Sequence, residues 1–304
     1  MTSRFTVHLA ERGIDVVGSL ELFRRSGDDL IDRWDGSRLL RAAYVGTGRW
    51  VPFVAHARDG AFEVSASDAS VRDIVANTFV PAPADYARLL EGDPVIARLN
   101  SQLPGVRQIR QLDVFTALIR CISAQQVNLR WAATTRRRLA ETFGRRYDIE
   151  GDVVYALDPE RLASADPTEI RALQFTTSKA VSIVATARAV VEGGLSAEEL
   201  GALDDDEVIA RLIRVRGIGL WSAEWVLART LGRPRVVAGD LGVRKAIGLA
   251  YGYAAMPAET EVRQATRHWG QSAGVAQALL LHAMGERVLL TDPARQRSPA
   301  VPRA

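Results

Sequence analysis

The sequence predicts an α+β fold, an antiparallel sheet domain feeding a larger, mostly helical body. Two patterns lead there. Between Phe5 and Val64 apolar and polar residues alternate in short runs separated by turn-rich pieces. Beyond Pro83 apolar residues instead recur at helical spacing. Composition agrees: 304 residues, 47% hydrophobic and 25% charged, make a globular chain and exclude disorder, collagen and low-complexity fibre. At this length two or three domains sharing interfaces are expected.

Strands are expected at residues 5–9, 16–22, 39–45, 50–55 and 61–64, with turns at 25–28, 46–48 and 58–60. Residues 68–79 read as a helix with Asp68 as N-cap and Val71, Ile74, Val75 and Phe79 on one face. Pro81-Ala82-Pro83 marks a boundary, giving a sheet domain at 1–82, a helical region at 83–290 and a loose tail at 291–304. Within the helical region Val114, Leu118, Ile119 and Ile122 form one stripe, Val181, Val184, Ala185 and Val191 a second, and Val208, Ile209, Leu212 and Ile213 a third. Pro104-Gly105, Gly144, Asp158-Pro159, Asp166-Pro167 and Gly193-Gly194 cut the region into helices of ordinary length.

Charge and cysteine content narrow the function classes. The 39 basic and 36 acidic residues leave a net charge of +3, and Lys179 and Lys245 are the only lysines. Arginine's planar fork suits phosphate, yet such a bias also follows from base composition, so it hints only weakly at nucleic acid. A lone Cys121 excludes disulfide scaffolds, four-cysteine zinc sites and cysteine-ligated iron-sulfur clusters, and reads as buried filler. His8, His56, His268 and His282 show no metal-ligand spacing. Neither a signal peptide nor a run of about 18 apolar residues appears, so a cytoplasmic location is expected.

The most informative stretch is 212–225. A helix opening at Asp204-Asp205-Asp206-Glu207 runs to about Arg214, Gly217-Ile218-Gly219 breaks it, and a second helix starts near Trp221. This is a helix-hairpin-helix pattern. Glycines there let backbone amides approach a DNA phosphate, and the new helix contributes free N–H groups at its positive end; a tight interhelical turn is the plainer reading. Asp240 follows the second helix after a Gly/Pro-containing segment and opens a third helix at 241–250. The second helix travels roughly 16 Å at 1.5 Å per residue. The return segment can span up to about 26 Å when extended, so Asp240 can come back to the mouth of the hairpin. A carboxylate there repels phosphate, which is odd for a pure binding element, while its plainer role is the N-cap. The two roles are compatible.

Hairpin, Gly/Pro loop and aspartate in this order resemble the helix-hairpin-helix DNA glycosylase superfamily. Leu103-Pro104-Gly105-Val106-Arg107, Asp113-Val114-Phe115, Ile122-Ser123-Ala124-Gln125-Gln126-Val127, and 173–180 with Lys179 extend the likeness. Residues 1–80 are similar to the N-terminal domain of the bacterial 3-methyladenine branch and its 8-oxoguanine cousins, so the resemblance covers roughly the whole chain. It implies two helical subdomains flanking a cleft. It also implies a monomeric, monofunctional glycosylase of base excision repair that flips alkylated bases out of duplex DNA and removes them hydrolytically. Asp240 would stabilise the cationic sugar. Trp221, four residues before Trp225, stands where lyase members carry their Schiff-base lysine. Trp221, Trp225 and Leu281 would line the base pocket, the tryptophans attracting a cationic base, although such a pair can equally pack a core.

Gln126, with Gln125, would fill the gap left by the flipped nucleotide. The amides of Gly217, Gly219 and Ala223, helped by Arg216 and Arg244, would hold a phosphate. No catalytic cofactor is expected, while the carbonyls of Ile213, Val215 and Ile218 would hold a structural Na+ or K+. Two departures touch the substrate: Arg216 stands where relatives often carry Pro, and Leu281 where the 3-methyladenine enzymes commonly place a tryptophan. An oxidised-purine glycosylase and a non-catalytic damaged-DNA-binding protein remain alternatives.

Overall fold

The computed structural model describes residues 2–46 and 48–289; the expected tail at 291–304 lies outside them. The chain opens with β1 (Ser3–His8), α1 (Val16–Ser26), β2 (Arg33–Trp34), β3 (Arg38–Tyr44), β4 (Trp50–Arg58) and β5 (Ala61–Ala66). The strands form one antiparallel sheet in the order β1-β5-β4-β3-β2. One expected strand, at 16–22, is instead α1. Asp15 caps it by accepting from the Gly18 amide at 2.9 Å. Val16, Ser19, Leu20 and Phe23 are buried at helical spacing while Val17 is 46% exposed, so the apparent alternation hid a three-to-four period.

The helix expected over 68–79 is shorter. Asp68 caps as anticipated, but a 3-10 turn (Ala69–Val71) precedes α2 (Arg72–Ala76), and Phe79–Val80 leaves as strand β6. Asn77 ends the helix, its side-chain amide donating to the Asp73 carbonyl.

The helical body follows: α3 (Tyr86–Gly92), α4 (Pro94–Gln102), the short strand β7 (Gln108–Ile109) paired with β6, α5 (Val114–Ala124) and α6 (Leu129–Phe143). A second departure from expectation comes next. Strands β8 (Gly144–Ile149) and β9 (Asp152–Leu157) form an antiparallel hairpin inside the region read as helical. Its turn places Glu150 and Gly151 at φ 49° and 84°, the mirror-image geometry that tight hairpins require. Glutamate is an unusual first residue there, which masked the signal. Ile149, Val154 and Ala156 cover Leu40, Ala42 and Val54 on one face of the sheet, whereas Val16, Leu20 and Phe23 of α1 cluster with Leu39, Phe53, Phe62 and Val64.

The chain continues through α7 (Pro159–Ser164), α8 (Pro167–Ala172), α9 (Thr177–Glu192), α10 (Ala197–Gly201), α11 (Asp205–Leu212), α12 (Leu220–Arg229), α13 (Leu241–Ala250), α14 (Glu259–Ala265) and α15 (Ala273–Gly285). Two helical cores result. One gathers Leu118, Ile122, Leu139, Ile183, Val208, Leu212, Val226 and Leu227. The other gathers Ile96, Leu99, Val243, Ile247, Trp269 and Leu279. Residues 231–239 cross from the first to the second, which puts Asp240 at their junction. Sheet and body are further joined by a buried ion cluster: Arg120 of α5 bonds Asp29 at 2.9 Å and Asp32 at 2.5 Å, Arg136 of α6 bonds Asp29 at 2.9 Å, and Arg41 of β3 bonds Asp32 at 2.5 Å.

Candidate active site

The hairpin forms as its residues dictate. Asp204 and Glu207 cap α11 reciprocally, and the turn is closed by Val215 and Ile218 amides donating to the Leu212 and Val215 carbonyls. Gly217 has φ +86°, and a Cβ there would lie 2.0 Å from Ser182 Oγ, so only glycine fits against α9. Gly219 differs: it is extended, and nothing lies within 4 Å of where its Cβ would be. The amides of Gly219, Leu220, Trp221 and Ser222 have no protein acceptor among the described residues. Ala223 departs from expectation, because its amide donates to the Gly219 carbonyl at 3.1 Å and the residue is fully buried. The free donors are thus those of 219–222. Arg216 is exposed at the turn, but Arg244 Nε donates to the Pro257 carbonyl at 2.8 Å and braces the segment behind α13.

The return segment is pinned along its length. Arg233 bonds Asp205 at 2.7 Å, and Arg235 and Arg263 converge on the buried Glu224 of α12 at 3.0 and 2.8 Å. The Val237 amide donates to Gln277 Oε1 of α15 at 2.8 Å. Asp240 therefore arrives beside α12, where its Oδ1 accepts from the Val243 amide and its Oδ2 from Trp221 Nε1, both at 3.0 Å. No ion pair engages it among the described residues, so the carboxylate that caps α13 carries no paired cation. A Cβ on Gly242 would sit 3.0 Å from Asp240 Oδ1, 3.5 Å from Leu281 and 3.8 Å from Met284. Leu281 is thus brought to the site as expected. Met284, one turn further on the same helix, was missed, although its spacing from Leu281 carried the signal.

Trp225 takes a mixed position. It packs against the first helical core, and its ring is faced by the Arg229 guanidinium at 5.0 Å. Arg229, unforeseen in the sequence, is half-buried with an Nε that meets no acceptor. Cys121 beneath is buried filler as expected, its thiol pushed up to about 12 by burial. Lys179 donates to the Ser123 carbonyl at 2.9 Å, and burial lowers its ammonium's pKa.

Gln126 projects from the loop after α5, exposed and at φ 57°, an uncommon conformation for a residue with a side chain. Gln125 ties that loop to the hairpin through Nε2 to the Gly217 carbonyl at 3.1 Å. The carbonyls of Ile213 and Ile218 accept no backbone hydrogen bond among the described residues, and that of Val215 accepts one from Ile218.

Residues 119–272, half of the chain, match the family described as HhH-GPD superfamily base excision DNA repair protein. The chain belongs to this superfamily. The HhH-GPD match includes the projecting loop, the hairpin and Asp240. DNA-3-methyladenine glycosylase 2 of Escherichia coli strain K12 is 31% identical over 134 residues, which is 44% of this chain and 47% of that protein. DNA-3-methyladenine glycosylase of Bacillus subtilis strain 168 is 28% identical over 186 residues, 60% of this chain and 61% of that one. The chain spans about half to three fifths of the length of these curated relatives. The 3-methyladenine DNA glycosylase of Archaeoglobus fulgidus shares the fold, with a TM-score of 0.81 at 23% identity over 92% of this chain and 98% of that one. The 8-oxoguanine glycosylase/lyase of Clostridium acetobutylicum, solved with duplex DNA, shares it at a TM-score of 0.68 and 18% identity, over 88% of this chain and 92% of that one. No helix among the described residues is long and apolar enough to cross a membrane.

Proposed function

We propose that the chain is a monofunctional DNA glycosylase that removes alkylated, 3-methyladenine-type bases from duplex DNA and leaves an intact abasic site. Asp240 carries the reading: a carboxylate aimed by an indole N–H and a helix start, without a cation paired to it among the described residues. Its charge stays available for a deoxyribose that becomes positive as the C1′–N bond breaks, and water then adds at C1′. Alkylation gives the purine a positive charge and makes it a good leaving group, so the protein need supply little besides this carboxylate. The names of the Escherichia coli and Bacillus subtilis relatives support this substrate class.

Trp221, Leu281 and Met284 would border the flipped base, and Gln126 would fill the space it leaves. The free amides of 219–222 would hold a backbone phosphate, with Arg216 nearby. The unbonded carbonyls of Ile213 and Ile218, with that of Val215, suit the Na+ or K+ implied by the family, which would add positive charge at the hairpin. The lysine needed for a lyase step is missing at Trp221, and Lys179 is already engaged. Methylated duplex is therefore expected to break only after alkali. Asp240→Asn is expected to abolish base release while leaving affinity for abasic duplex within a few fold; undiminished turnover would remove Asp240 from the mechanism.

A further inference from the structure

Trp221, Trp225 and Arg229 lie four residues apart in succession and so share one face of α12. Side chains on a helix lean toward its N-terminus, and Arg229 does so, its guanidinium standing 5.0 Å from the Trp225 ring centroid. That direction leads toward Trp221, whose indole holds Asp240. Burial lowers the pKa of Arg229, and the negative charge of Asp240 opposes this by favouring the cation.

Arg229 also differs from the arginines around it. Arg233, Arg235 and Arg263 each hold a carboxylate, whereas the Arg229 side chain makes no hydrogen bond and no ion pair among the described residues, and its Nε is buried. A half-buried guanidinium with every donor free is costly in the folded chain. Buried polar atoms without a protein partner recur at the same helix end. Gln108 Oε1 and Gln111 Oε1 belong to residues bonded to the Ala228 and Arg229 carbonyls, and Thr230 Oγ1 follows directly. On the stripe itself, the Arg229 guanidinium is a group left with donors to offer.

We propose that Arg229 is a specificity-determining residue that admits neutral purines presenting two hydrogen-bond acceptors on one edge, such as hypoxanthine with its O6 and N7. The inference rests on the glycosylase reading of Asp240 and extends its range of bases. The guanidinium fork matches that pair of acceptors, as it does on guanine in duplex recognition. It also already occupies the Trp225 face that a cationic base would seek. The chemistry fits. When a neutral purine departs, the C1′–N9 electron pair passes to the base, which becomes anionic until protonated. Water forms the new bond to C1′, and the proton it releases ends on the purine. A cation bonded to O6 and N7 stabilises that developing negative charge. An N-alkylated purine leaves as a neutral species and gains nothing from it.

The test compares wild-type, Arg229→Met and Arg229→Lys proteins on two substrates: a duplex with one deoxyinosine opposite thymine, and duplex DNA treated with a methylating agent, whose released purines are quantified. Arg229→Met is expected to lower the ratio of hypoxanthine release to methylpurine release by about 10- to 100-fold, with Arg229→Lys in between. An unchanged ratio overturns the proposal, even if both rates fall. Wild-type protein that releases methylpurines but no hypoxanthine also overturns it while leaving the glycosylase reading standing. Release of neither base overturns both. Should Arg229→Met fail to fold, the Arg229→Lys ratio decides by the same criterion.

Discussion

Trp221 is where structure and chemistry meet most closely at the residue scale. Its indole N–H fixes one Asp240 oxygen at 3.0 Å, and the Val243 amide fixes the other. Phenylalanine keeps the ring and deletes the donor. Hydrogen bonds to charged groups contribute about 1.5–3 kcal/mol, so Trp221→Phe is expected to slow single-turnover base release roughly 10- to 100-fold with little change in affinity for abasic duplex. An unaltered rate would mean the carboxylate needs no such aiming. Asp240 was legible in the sequence because reach and capping are local arithmetic: a helix length, a loop length, an acid before a helix. Arg229 was not, since a chain rich in arginine gives no clue to which one lacks a partner. The Ala223 amide does not serve as a free donor for a related reason, because it is spent on the Gly219 carbonyl, and Arg244 gives its Nε to the Pro257 carbonyl, contacts that only the folded backbone reveals.

The two hairpin glycines serve different ends at the scale of elements. Gly217 is demanded by its positive φ and by Ser182, so Gly217→Ala is expected to destabilise the protein by roughly 1–3 kcal/mol, visible as a lower unfolding midpoint. Gly219 faces open space in an extended conformation any residue adopts. Gly219→Ala is therefore expected to cost under about 1 kcal/mol of stability and yet weaken duplex binding, because the methyl stands where a phosphate would approach the free amides. Equal effects of the two substitutions on melting would contradict this division. Helices with strong stripes and caps, such as α5 and α13, were readable in advance. Helix α1 was not, because Val16-Val17-Gly18-Ser19-Leu20 satisfies a strand pattern and only Asp15 as a cap betrays the helix. The β8–β9 hairpin was missed because its turn uses glutamate where asparagine or aspartate would have announced it.

Across the whole molecule, the buried cluster of Asp29, Asp32, Arg41, Arg120 and Arg136 binds the sheet to the helical body. Burial alone would push the Asp29 carboxyl up, but Arg120 and Arg136 beside it hold it at about 2, against an ordinary 3.8. The folded value lies below the unfolded one. The resulting contribution, about 2 kcal/mol, is therefore complete at neutral pH and lost as pH falls from about 5 toward 2. Acid titration of the thermal midpoint is expected to show this decline, and Asp29→Asn to flatten it while lowering stability at pH 7 by about 3–5 kcal/mol, since two guanidinium groups lose a buried partner. A midpoint insensitive to pH below 5 would exclude the cluster as the source. None of these pairings could be read from sequence: the partners lie up to 107 positions apart.

The same cluster, with the β8–β9 hairpin seated on the sheet, has a mechanical corollary. Parts stapled together this way, the sheet and the first helical core, resist parting to swallow a straight rod, and Asp240 lies where that core meets the second. If a nucleotide is to reach the acid there with sheet and first core kept together, the double helix must bow toward it. Easily buckled tracts, and mispaired or damaged steps above all, would then be captured before stiff ones, so that surveillance begins with the mechanics of the polymer and the chemistry comes second.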